Sequence, residues 1–191
     1  MFDYFGILVS IILGLALTHL LRGIAKQILL RHTVRVYWVH LLWTGNVIVA
    51  VLALWWGMYW WKGLQDWPAA WFFFLSLYSI VIFLWAFMLY PQEFDERTNF
   101  VEHFYAHRKW FFGMLIAAMV LDIPETLGKQ WWHLRAVPAQ YPYVISSLLG
   151  IGVIGFVSAN RKVHAVLSVI WLPLMLGYEF LSALGRIVGH L

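Results

Sequence analysis

The run from Val36 to Trp61 decides what this chain can be. It holds no acidic or basic residue other than His40. About 20 apolar residues carry an α-helix across the hydrocarbon of a bilayer, and a run of this kind reads as a membrane span. It does not stand alone. Tyr4 to Leu21, Pro68 to Tyr90, Tyr143 to Ala159 and Val163 to about Val188 are comparably apolar. Only 12% of the 191 residues are charged and 63% are hydrophobic. Soluble domains carry roughly 25% charged residues, so most of this surface must meet lipid instead of water. Transmembrane β-strands alternate over about ten residues, and these unbroken runs do not. Helices satisfy every backbone hydrogen bond internally, so the fold class is all-α, a polytopic transmembrane helical bundle.

The fourth span needs argument. Trp110 to Leu121 is too short alone, and it crosses only if the helix begins near His103 or continues through Pro124. With it the chain has about six spans in a single domain, residues 1–191. Pro68 suits a first helical turn, and Pro91 follows the end of the third run. The opening Met-Phe-Asp-Tyr-Phe-Gly has no basic stretch and no small-residue cleavage site, and reads as a retained first span.

Lysine and arginine set the orientation. Arg22, Lys26, Arg31 and Arg35 fill the first loop, whereas the second holds only Lys62. Six spans put nine basic residues on the first-loop side and four, counting Arg186, on the other. The first-loop side is expected to be cytoplasmic, with both termini outside. Five spans without the fourth give ten against three, so charge alone does not choose between them. Trp131 and Trp132 favour six, as an outer-interface anchor matching Trp55, Trp56, Trp60, Trp61, Trp67 and Trp71 around the second loop. A cage of those indoles around a cation is the alternative to an aromatic belt.

Several classes of chemistry drop out. The chain has no cysteine, which removes disulfides, thiolate nucleophiles and Cys-ligated zinc or iron–sulfur centres. No nucleophile motif and no His-Glu-x-x-His zinc motif is present, so no catalytic residue is assigned. The basic residues lie at the ends of apolar runs, which is an orientation signal and not a nucleic-acid patch.

A few polar residues require a reason. Gly6, Ser10, Gly14 and Thr18 repeat every four residues along the first span, followed by Arg22 and Lys26. Small residues at this spacing let a neighbouring helix approach. Gly150, Gly152 and Gly155 give the fifth span the same capacity. His19 with Arg22 is a candidate anion pair. His19, His40, His103, His107 and His164 are candidate ligands for a metal or b-type haem, with His40 and His164 the first pair to test. The stretch from Pro91 to Lys109 is the one long polar segment, a cytoplasmic loop or surface helix in which Phe100, Val101, Phe104 and Tyr105 share a face. Asp122 and Glu125 flank Pro124, the signature of a helix start, with Asp122 as the cap. Glu179 lies inside the last span with Arg186 seven residues on, about 10 Å along the axis. A charge in that position is a structural ion pair or a proton or ligand site.

Phe5-Gly6-Ile7-Leu8-Val9-Ser10, Ile12-Leu13-Gly14-Leu15 and Thr18-His19-Leu20-Leu21, with Tyr37-Trp38-Val39-His40 and Leu42-Trp43, resemble small multi-pass proteins of bacterial inner membranes. The resemblance covers chiefly the first two spans. It implies a bacterial inner (cytoplasmic) membrane and carries no functional residue with it.

Three functions follow from these residues. A small-solute or ion transport protein would use Glu179, Arg186, Asp122, Asn46 and His40 along an internal path, as a homo-oligomer because the chain is small. A non-catalytic subunit of a membrane complex would use the small-residue rows for contact. A redox protein would hold haem between histidines.

Overall fold

A computed structural model describes the backbone of residues 2–188 and the side chains to Ser182. Its six α-helices are α1 (Phe2–Leu29), α2 (Trp38–Met58), α3 (Ala69–Phe87), α4 (Phe100–Trp131), α5 (Tyr141–Val157) and α6 (Arg161–Val188), with a 3-10 turn at Tyr59–Gly63 after α2. Five are long and apolar enough to cross a membrane. The exception is α5, which is apolar but has 17 residues, about 25 Å of helix. The chain is an integral multi-pass membrane protein.

Helix ends follow local rules. Pro68 caps α3 from an extended conformation and contributes no amide where none is needed. Asn99 starts α4 by accepting the Val101 amide, and its own amide group donates to Glu102. The far end of α4 closes in a Schellman pair, with Leu134 N–H donating to Lys129 C=O and His133 N–H to Gln130 C=O. His133 takes φ of 54° there, the left-handed turn usually given to glycine.

The neighbours close a ring in the order α1, α3, α4, α5, α6, α2 and back to α1, and α2 also touches α3 and α4. Loops gather at two ends. Phe100 N–H donates to Arg35 C=O, which joins the first and third loops. Trp61 and Glu125 join the second-loop turn to the far part of α4. Thus α4 runs from one end of the bundle to the other, about 48 Å for its 32 residues. Both extensions of the short apolar run occur: the helix starts before His103 and passes through Pro124.

That continuity overturns the reading of Asp122 as the cap of a new helix. Pro124 lies inside α4, where a proline removes one backbone bond without ending a helix held by its neighbours. Lys129, expected from the sequence in the fourth loop as one of the four basic residues on the second-loop side, is helical and buried for the same reason. Likewise the polar segment after Pro91 becomes helix at Phe100, and Phe100 and Phe104 pack inside the bundle.

Glycines on α5 seat it against α4. A side chain at Gly155 would strike the Phe112 ring, and one at Gly152 would strike Ile116. Gly128 meets the Trp71 indole in the same way, and Gly23 meets Tyr90. The first-span row behaves differently. The buried face of α1 is Phe5, Val9, Leu13, Ala16 and Leu20, and nothing lies within 4 Å of a side chain placed at Gly6, Gly14 or Gly150. Thr18 donates back to Gly14 C=O, and Ser10 accepts from the Trp55 indole.

The tryptophans divide into two groups. Trp55, Trp56 and Trp131 stay exposed on the rim. Trp61 is core, and the half-buried Trp71 and Trp67 pack beside it with ring centres 4.8 Å and 6.2 Å away.

Candidate functional site

At the second-loop end a cavity opens between α2, α3, α4, α5 and α6. Asp122, Glu125, Lys129, Arg135 and Glu179 line it with Tyr78, Tyr141 and Tyr178. Its floor is apolar, made by Ile82, Met119, Leu148 and Met175. The space open to centres of water-sized spheres is about 70 Å³. One water needs roughly 10–15 Å³ on that measure, so the cavity takes a few waters or one small ion.

The helix places the polar groups. Asp122, Glu125 and Lys129 recur at three and four residues, one face of α4 turned inward. Lys129 Nζ lies 2.6 Å from Glu125 Oε1, and the Trp61 indole donates to the same oxygen at 3.0 Å. This pair is shut away, with 6% and 3% of the side chains exposed. Lys129 thereby neutralises Glu125, which membrane burial otherwise makes costly.

Asp122 is held differently. Tyr78 donates to one carboxylate oxygen at 3.1 Å and Tyr141 to the other at 2.9 Å. Two donors on two oxygens suit the ionised form. Among the described residues the Glu125–Lys129 contact is the ion pair, and Asp122 has no cation within that reach. Glu179 borders the same cavity from α6, half-buried. Arg135 stands at the rim with its guanidinium 5.6 Å from the centre of the Trp60 ring.

Below the floor lies an aromatic layer. Trp43, Trp85, Trp171, Phe111 and Phe112 are all buried, with ring centres 5.1–6.4 Å apart along their contacts. Beyond it, toward the first loop, is a second polar group without charge. His40 Nε2 sits 2.7 Å from Leu89 C=O, and Thr44 donates to His40 C=O at 2.9 Å and lies 3.3 Å from the Tyr90 hydroxyl. Tyr90 donates to Gln27 Oε1. Burial pushes the Tyr90 phenol up to about 12, so it keeps its proton and its donor role.

The transport residues named from sequence therefore separate. Asp122 and Glu179 share the cavity. Asn46 instead donates to Ser168 C=O at 2.9 Å and ties α2 to α6, and His40 belongs to the neutral end. The side chain of Arg186 lies outside the described residues. Glu125, Lys129, Tyr78 and Tyr141 belong to the site and were missed. Treating Pro124 as a helix start hid the four-residue spacing that joins Glu125 to Lys129.

The histidines also separate. The rings of His103 and His107 lie 4.4 Å apart, and His107 Nδ1 sits 3.0 Å from His103 C=O. His19 stacks on Phe87 at 4.6 Å. His40 packs against Tyr90 and Phe100, whereas His164 packs against Phe104, Tyr105 and Phe112 and bonds at Nε2 to Ser158 C=O. Among the described residues no three of His, Asp and Glu are grouped to hold a metal. No family model, curated protein or solved structure matches this chain.

Proposed function

We propose that this protein binds a small ion or small polar solute in the second-loop cavity, as the loading step of transport across its membrane. One observation carries the reading: Asp122, inside a membrane-spanning helix, is fixed by two tyrosine hydroxyls and faces a water-sized space with no paired cation. An uncompensated carboxylate at this depth is costly, and a bound cation or proton repays that cost. Glu179 would complete the site from α6. The aromatic layer closes the path below, so passage requires it to repack. The resemblance of the first two spans supports a bacterial inner membrane, and the lysine and arginine bias supports a cytoplasmic first loop.

Purified protein in liposomes with imposed proton, sodium, potassium or ammonium gradients tests this reading. Flux above empty liposomes is expected, falling at least tenfold in Asp122→Asn and Glu179→Gln. Wild-type flux no greater than that of empty liposomes for all four would reject it.

A specific observation also favours an accessory role. Gly6 and Gly14 leave the outer face of α1 open beside an apolar groove bordered by Ile7, Ile11, Trp55 and Tyr59. Small residues on such a face suit contact with another membrane helix. A stoichiometric partner co-purifying from native membranes, and lost on Gly14→Leu, would move the assignment there.

A further inference from the structure

The first-loop end carries a feature that the cavity does not use. Arg108 lies on the inward side of α4 and is only 9% exposed. Its Nε is sealed from solvent and makes no hydrogen bond. A buried guanidinium ordinarily finds a carboxylate, because its charge is costly to desolvate. Here the ion pair among the described residues is at the opposite end of the bundle.

A second cation faces the same place. The guanidinium of Arg161, the first residue of α6, lies over the Tyr105 ring at 5.9 Å. Tyr105 lies three residues before Arg108 on α4, hence on the same side of that helix, and its ring is 5.5 Å from that of His164 on α6. This is the amino end of a 28-residue helix, whose dipole favours an anion, although Asn160 already caps the Lys162 amide. Two arginines, a phenol and a helix amino end thus meet, and among the described residues neither arginine forms an ion pair. Further along α5 and α6, Val153, Val157, Val166 and Val169 are exposed and offer apolar surface.

We propose that this cluster binds a phosphate-bearing anion, with Arg108 and Arg161 as its two charged contacts, and that the source is the headgroup of an anionic membrane lipid. Arginine forks match phosphate oxygens, and basic pockets between membrane helices on one face take lipid headgroups. The adjoining apolar surface favours a lipid over a free ion. This site shares no residue with the Asp122 cavity and stands whether or not that cavity transports anything.

The test uses the purified full chain in detergent. Native mass spectrometry measures retained phosphatidylglycerol against phosphatidylcholine, and thermal unfolding is followed with either lipid or with inorganic phosphate. The expected result is preferential retention of phosphatidylglycerol, with a raised unfolding temperature and no effect of phosphate. Arg161→Gln, at an exposed position, should weaken that retention about fivefold, the factor associated with one surface arginine. Arg108→Lys keeps the charge but loses the fork, and should weaken it as well. Stabilisation by inorganic phosphate that vanishes in Arg161→Gln would keep the anion site and replace the lipid by a free ion. Equal retention of the two lipids with no phosphate effect, or retention unchanged in both variants, would overturn the site.

Discussion

Outside the Arg108 cluster, the two ends of this bundle handle buried polarity in opposite ways. At the first-loop end Gln27, His40, Thr44 and Tyr90 form a neutral group, and Tyr90 fills the space that Gly23 leaves. At the second-loop end Asp122, Glu125, Lys129 and Glu179 bring charge, and a cavity lies among them. The neutral group is a clamp between helices, with bonds that tie α1, α2 and the residues after α3 together. The charged end retains space that its own side chains could have filled. Charge with room is the mark of a ligand site, and polarity without room is the mark of packing.

Substitutions at each end can break or sharpen that contrast. The largest effect is expected from Lys129→Met, which leaves Glu125 buried and unpaired and should cost about 3–5 kcal/mol. Thermal unfolding in detergent measures it, and a loss below about 1 kcal/mol would show that the pair is not sealed as described. At the neutral end Tyr90→Phe strands Gln27 Oε1 and should cost about 1–3 kcal/mol with no change in ligand binding or flux. A change in flux there would erase the distinction between the ends. Asp122→Asn keeps a side chain able to meet both tyrosines, and should cost only about 1 kcal/mol while abolishing binding. A loss of stability like that of Lys129→Met would make Asp122 a structural keystone instead. The smallest effect is a gain: His133→Gly relieves a left-handed residue at the mouth, and should stabilise by about 0.5–1 kcal/mol without altering flux.

The helical bundle was legible because hydrocarbon forces it. Every long apolar run became a helix, although α1 runs eight residues past Leu21 and α4 ten residues beyond each end of its apolar stretch, and the sequence of α5 already showed glycines where Phe112 and Ile116 press in. The site was half legible. Asp122 and Glu179 stood out as charges in apolar runs, and they do share a cavity. Their tyrosine partners did not, since Tyr78 and Tyr141 lie on other helices and a phenol in an aromatic-rich chain carries no local signal. Periodicity along one helix gives the inward face but not which neighbour it meets. For the same reason Asn46 and His40 were grouped with the cavity although the aromatic layer separates His40 from it. The small-residue row on α1 is the reverse case: a clear pattern that this chain's own packing leaves open at Gly6 and Gly14.

The aromatic layer has an electrical consequence. A slab of close-packed rings conducts no ions and holds no bulk water, so the resting voltage of the membrane falls mainly across it. Moving one charge through the full field is worth about 2.3 kcal/mol per 100 mV. An ion reaching Asp122 from the second-loop face stops before the slab and crosses only a small part of that drop. On the proposed transport reading, loading is therefore nearly voltage-independent, and the membrane potential would act on whatever movement carries charge past Trp43, Trp85 and Trp171.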